Sequence, residues 1–540
     1  MRRKGLHPAL ILLTLALVAL PTAPRLDGGS RAHAQTGGKP VAGGTLTIAY
    51  APLGTQLDVN STNLSTLNEV AHYFYETLFD RDAEGKVRPL LVAEERISGD
   101  GLTVTWKLQA GVKFHDGTPF NAAAVKWNLE RKLQKKQPVY DILPIRNIEV
   151  VDDLTARVVL TRPSPSLAAS LSAKTFSMYS PSFAQKVGDD ALKQQASGTG
   201  PFTVAEFKPN EFLSLKKNPS YWQKGLPYLD GVVFRVVPDS NTRATMLQAG
   251  DVDMALGLSV PDLQRFRRTR GIKVLEGQGS HQYYIALNTR KPPLDDLRVR
   301  LALNHAVDKE GIIKAVLLGA AKPSTAPYIT EAVDGYVNAG VYGYDPDRAK
   351  KLLDEAGWKP GPGGIREKSG KPLRLDLITR KGAVTGDFET AELVQAFLKA
   401  VGIDCTLTVL ETATFFDRVT LPIDKAQYDM VSLSVNAFTG DAELTMLTFY
   451  HSNAFAPRYF NRTYYGTAQI DKLISDSQQA TTRAARNAIY DQVIKEVFQA
   501  ATIIQLVDPP QMIAVQDNVH GVYLAGAQNN WPAKYAWKIK

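Results

Sequence analysis

His115 and Asp116 stand side by side in Phe114-His115-Asp116-Gly117-Thr118-Pro119, an imidazole next to a carboxylate, the pairing that a metal site or a general base would use. A hairpin turn asks for Asp-Gly on geometric grounds alone, and that is the reading favoured here. The eight histidines are scattered, and Cys405 is the sole cysteine. No Gly-x-Ser-x-Gly, His-Glu-x-x-His, phosphate-loop Gly-Lys-Ser/Thr or spaced Cys/His cluster occurs, so no catalytic residue, metal ligand or cofactor is assigned. The chemistry left is recognition. Arg380-Lys381 is a basic pair directly after the strand pattern Leu373–Thr379, equally suited to contact a ligand or to sit in a solvated loop. Cys405, in the apolar run Ile403–Leu410, reads as core.

The elements that would position such residues follow from hydropathic periodicity. Thr45–Tyr50 alternates as a strand, and Leu67–Phe79 reads as a helix. Leu102, Val104, Trp106 and Leu108 alternate with polar neighbours in a half-buried ribbon, and a second ribbon spans Ile148–Leu160. Gly198-Thr199-Gly200-Pro201-Phe202 punctuates the chain before further strands. Arg290–Gly319 combines a Pro-Pro-Leu-Asp-Asp turn with a helical pattern. Leu297, Leu301, Val307, Ile312, Val316 and Leu317 are expected on one buried face, with a restart at Asp308-Lys309-Glu310-Gly311. Tyr344–Trp358 is a capped helix, and Leu373–Thr379, Glu389–Val401 and Asp404–Leu410 repeat strand, helix, strand.

At 540 residues, 44% hydrophobic and 22% charged, the chain has the composition of a globular protein of two or three domains. Ala9–Leu20 follows Arg2-Arg3-Lys4 and falls short of the ~20 residues that span a bilayer, a signal-peptide pattern with Ala32-His33-Ala34 as its cleavage site. Removing Arg2, Arg3, Lys4, Arg25 and Arg31 together with Asp27 lowers the net charge from +9 to +5. That mild excess, without a basic and aromatic cluster, argues against a nucleic-acid partner.

Five separated blocks, in order, resemble the family 5 extracytoplasmic solute-binding proteins, the peptide and nickel receptors of ABC importers. They are Phe114–Ala122, Gly198–Phe202, Asn218-Pro219-Ser220-Tyr221-Trp222, Tyr283–Gly319 and Tyr344–Trp358. The resemblance implies an α/β, two-lobed periplasmic-binding-protein fold of type II, with an extra α+β subdomain inserted in the first lobe. Residues 1–34 would be the signal peptide, 35–75, 197–285 and 505–540 lobe I, 76–196 the inserted subdomain, and 286–504 lobe II. Ile503–Val507 and Met512–Val515 would return the chain to lobe I.

The resemblance implies a receptor, not an enzyme: a monomer in the periplasm that closes on a small polar solute and delivers it to an inner-membrane ABC permease. Cys405 lies far from the leader, so it is not the lipid-anchored cysteine of many receptors. Peptide-binding members place a Trp and then an Asp after a Tyr-Asp strand entry. Here Tyr428-Asp429 keeps the entry, but Val435 and Phe438 take those two positions, so the anchor for a ligand's ammonium is missing. Asp441 is a possible substitute, and Asn436 and Phe438 are expected to line the cleft. Arg380 and Lys381 match the family's carboxylate anchor, and Tyr283 on the hinge strand is expected to face ligand. Peptides, metal chelates, opines and sugars all stay open as cargo.

Overall fold

The computed structural model describes residues 39–61, 65–135, 140, 142–380, 386–436, 439–524, 531 and 533–539. The expected leader, Lys381 and Phe438 lie outside the described residues. Two large sheets organise the molecule. The first runs Ile272–Gly277, Gln511–Gln516, Met254–Ala255, Thr45–Tyr50, Gly231–Val236, Phe212–Lys217 and Phe202–Lys208 in spatial order. Thr45–Tyr50 lies parallel to both of its neighbours, with Leu46 and Ile48 fully buried beneath Phe234 and Trp531.

The second sheet has the order Lys322–Pro323, Ile503–Asp508, His281–Leu287, Met430–Asn436, Arg374–Thr379 and Asp404–Val409. Its last three strands are parallel, and Asp387–Ala400 is the helix between the two outermost. Cys405 is buried in this lobe's core beside Leu375 and Val401, where burial pushes its thiol up to about 12. A separate four-stranded antiparallel sheet, Val92–Ile97, Thr103–Leu108, Thr155–Leu160 and Ile145–Asp152, forms the inserted subdomain. Alternation along Thr103–Leu108 sends Val104, Trp106 and Leu108 into its core.

Only two stretches carry the chain between the large sheets: Gly277 to His281, and Asp508 to Gln511 through Pro509-Pro510. Strand His281–Leu287 and strand Ile503–Asp508 are therefore interior members of the second sheet, so the crossings sit there rather than at residues 285 and 505. The two crossings touch. A Cβ on Gly279 would fall 2.0 Å from the carbonyl oxygen of Pro509, so only glycine permits this approach.

The segment after the hinge strand breaks where the sequence says it should. Helices Leu297–Ala306 and Lys309–Ala315 are separated at Val307, and Asp308 caps the second by accepting from Gly311 N at 2.9 Å. Val307, Ile312 and Leu317 are buried as expected, while the first helix buries a different face. Val299, Ala302, Leu303 and Ala306 are at most 1% exposed, whereas Leu297 is 41% exposed. Asp296 caps the helix, so Leu297 falls in the first turn and points outward.

The subdomain also reaches the second lobe. Arg162 pairs with Glu443 at 3.0 Å, Ser166 Oγ donates to the same carboxylate, and Arg81 Nη2 donates to Thr439 O at 2.5 Å. Leu444 packs into the subdomain's own hydrophobic cluster.

Candidate ligand-binding cleft

Between the two large sheets lies a cleft of about 410 Å³, floored by the crossings at Gly279, His281 and Pro509–Gln511. Tyr50, Glu69, Leu263 and Trp531 come from the first lobe, and Tyr283, Leu317, Arg380 and Ser434 from the second. Apolar walls with a few convergent polar groups are the usual make-up of a small-molecule site.

The second-lobe wall is set by strand geometry. Tyr283 pairs with Ser434 across adjacent antiparallel strands, so both side chains leave the sheet on one face. Arg380 follows the last residue of Arg374–Thr379, at the carboxyl end of a parallel strand, where open α/β sheets hold their ligands. Its guanidinium lies over the rings of Phe415 and Phe416, with Cζ 5.1 and 4.8 Å from their centroids. Burial, followed by Asp387 acting in the opposite sense and then Arg462, leaves the guanidinium below its usual pKa. Among the described residues no carboxylate stands within ion-pair distance of it.

On the opposite wall Tyr50 OH donates to Glu69, and Tyr50 meets Trp531 edge-on at 5.7 Å. Burial, then the Glu69 charge, raises the Tyr50 hydroxyl well above its ordinary value. His281, at the floor, is lowered by burial to about 4 and is neutral at pH 7. The cleft thus opposes one cation and one carboxylate across an aromatic and aliphatic gap.

The structure separates the expected site residues. Arg380 and Tyr283 come together in the cleft, and Tyr283 is only 6% exposed. Asn436 accepts from Ser280 Oγ at 2.8 Å and so ties the second sheet to the first crossing. Asp441 is 1% exposed; it caps helix Ala442–Thr445 and meets Arg486 Nη2 at 2.8 Å, so its carboxylate is already engaged within the lobe. Val435 packs in the second lobe's core near Tyr284 and Ile503, on the face away from Ser434. Period-2 alternation along Met430–Asn436 carried the signal for Ser434.

Tyr50, Glu69 and Trp531 left no mark in the sequence, since they converge from strand, helix and C-terminal segments far apart in the chain. His115 is held by the backbone: Gly198 N donates to its Nδ1 at 3.4 Å and its Nε2 donates to Gly200 O at 3.0 Å. Burial lowers it to about 4, and its place is a clasp between the hairpin turn and the Gly198–Gly200 loop.

Comparison with known proteins matches this architecture. Residues 86–457 fit the model of bacterial extracellular solute-binding proteins, family 5. The glutathione-binding protein GsiB of Escherichia coli O1:K1 is 29% identical over 486 residues, 89% of this chain and 92% of that one. GsiB of Pectobacterium atrosepticum is 29% identical over 481 residues, covering 88% and 91%. Among solved structures, NikA from Brucella suis in complex with Fe(III)-EDTA superposes with a TM-score of 0.82 at 28% identity, over 92% of this chain and 100% of that chain. DppA from Helicobacter pylori, in complex with peptide STSA, shares the fold at a TM-score of 0.78 and 24% identity, covering 93% and 99%. Two α/β lobes, two short crossings and a ligand-sized cleft agree with the match over most of the chain: it belongs to the family 5 bacterial extracellular solute-binding proteins, which capture solutes for ABC importers and are not enzymes.

Proposed function

We propose that the cleft takes a small, peptide-like solute bearing a carboxylate, which Arg380 receives, with Tyr283 and Ser434 beside it. The observation that carries this reading is the Arg380 guanidinium, held on two aromatic faces in the cleft with no carboxylate partner among the described residues. Glu69, on the facing wall, offers the negative counterpart for a ligand ammonium. The glutathione-binding relatives support a peptide-like cargo. The apolar block Ala9–Leu20 and its basic start support export to the periplasm, where the protein would serve an inner-membrane permease.

The test is isothermal titration with glutathione and a panel of dipeptides. Arg380→Ala is expected to weaken carboxylate-bearing ligands about 10- to 100-fold, the loss of one charge-assisted contact. Unchanged affinity would sink the assignment. A carboxylate-bearing metal chelate is the second reading, favoured by the likeness to the Brucella suis protein with Fe(III)-EDTA. Metal analysis of protein purified from its own host separates the two.

A further inference from the structure

A hollow of about 20 Å³ lies where the inserted subdomain, the segment after helix Ser65–Ala71 and the C-terminal stretch meet, and it shares no lining residue with the cleft. Its charged walls are Glu76, Asp80, Arg81, Lys174 and Lys534, with His72 beside them. Glu76, Arg81, Lys174 and Lys534 are each at most 8% exposed, so these charges are held in the interior. Both carboxylates are already engaged. Asp80 accepts from Lys174 Nζ at 2.9 Å, and Glu76 accepts from the Tyr221 hydroxyl at 2.6 Å and from Trp222 Nε1 and Thr199 Oγ1 at 2.9 Å.

The cations are less well answered. Arg81 donates through Nη1 to Gly85 O at 2.6 Å and through Nη2 to Thr439 O at 2.5 Å, which leaves its buried Nε without a partner among the described residues. Asp334 and Asp441, the carboxylates beyond it, are held by Arg483 and Arg486. Lys534 has no carboxylate within ion-pair distance among the described residues, and residues 521–540 contain no Asp or Glu. Burial, then the Lys174 charge, lowers His72 to about 3, so it adds no charge at neutral pH. Three cations thus face two carboxylates, an excess of one positive charge. Burial also pushes the Glu76 carboxyl up, and protonation there would widen the excess.

We infer that this hollow is a binding site for one small monovalent anion of the halide class, held by Lys174, Lys534 and Arg81 Nε. About 10–15 Å³ is the threshold for one water, so the hollow admits a single small species and no tetrahedral oxyanion. A water can satisfy donors but cannot offset a buried charge, which is costly unless it is paired. One chloride ion balances an excess of one. It would join three stretches of chain far apart in sequence, and its binding is independent of the cargo in the cleft.

The experiment follows thermal unfolding of the protein while chloride, or bromide, replaces gluconate at constant ionic strength. The wild-type midpoint is expected to rise saturably, by about 2–3 °C at a hundredfold excess of chloride over its dissociation constant. Bromide should act alike and, by anomalous diffraction, give a peak beside Lys174 and Lys534. Lys534→Met keeps the volume and removes the excess charge, so it should lose the chloride response; Lys534→Gln, which keeps a donor without the charge, is the second variant should the first not fold. Equal midpoints in chloride and gluconate overturn the site, whatever the variants do. So does a rise that never saturates, which reports a general salt effect, or one that survives both substitutions. A bromide peak with no shift in midpoint marks an adventitious ion only and overturns the proposal as well.

Discussion

Arg380 and Arg486 bring the same guanidinium into opposite circumstances. Arg486 is 2% exposed and closed off by Asp441 at 2.8 Å, with Asp334 at 3.7 Å. Arg380 is half-buried and has only aromatic faces beneath it. A buried charge without its partner is far costlier than one that still reaches water, so Arg486 serves stability and Arg380 is available for ligand. Asp441→Asn is therefore expected to lower unfolding stability by about 3 kcal/mol, the low end for a broken buried pair because Asp334 compensates in part. Urea denaturation measures this. A loss under about 1 kcal/mol would show that the pair contributes little.

The crossings join the two lobes, and each carries its own constraint. Gly279 lies against Pro509, and Asp508 ends the strand just before that proline. Burial pushes Asp508 up to about 7; Ser324 and Gln282, whose Nε2 lies 3.3 Å away, lower it, Glu331 raises it and Lys322 lowers it. A carboxyl group whose folded value lies above its unfolded value of about 4 favours folding when protonated. Its contribution is complete below about pH 4 and is lost as pH rises through about 7. Wild type should thus lose stability relative to Asp508→Asn between about pH 4 and about pH 7, read from urea midpoints. Parallel profiles for the two proteins would show that the group is ionised throughout.

At the scale of the whole molecule, the inserted subdomain belongs by sequence to the first lobe, yet it grips the second through Arg162, Ser166 and Arg81. These contacts exist only while the subdomain and the Thr439–Leu444 segment abut, so they bias the lobe equilibrium toward that arrangement. Glu443→Ala removes the acceptor for both Arg162 and Ser166. It is expected to enlarge the radius of gyration of the ligand-free protein in small-angle X-ray scattering and to weaken ligand binding in step. An unchanged radius of gyration would mean that the Leu444 packing and the Arg81–Thr439 hydrogen bond suffice to hold the two together.

Periodicity and capping determined much of this protein without a structure. The alternation of Val104, Trp106 and Leu108, the Asp308 restart and the Leu373–Thr379 strand are local properties, set by backbone geometry and near neighbours, and each can be read along the chain. Arg380 was marked by its resemblance to the family's carboxylate anchor, at the end of that strand. Local rules misplaced the buried face at Leu297 and the sheet membership of His281–Leu287 and Ile503–Asp508, because packing partners come from elsewhere in the chain. Asp441 looked available only until Arg486, 45 residues later, was seen to occupy it. The cleft itself joins Tyr50, Glu69, Tyr283, Arg380 and Trp531 from five distant segments. Its chemistry is a long-range convergence that only the tertiary structure could decide.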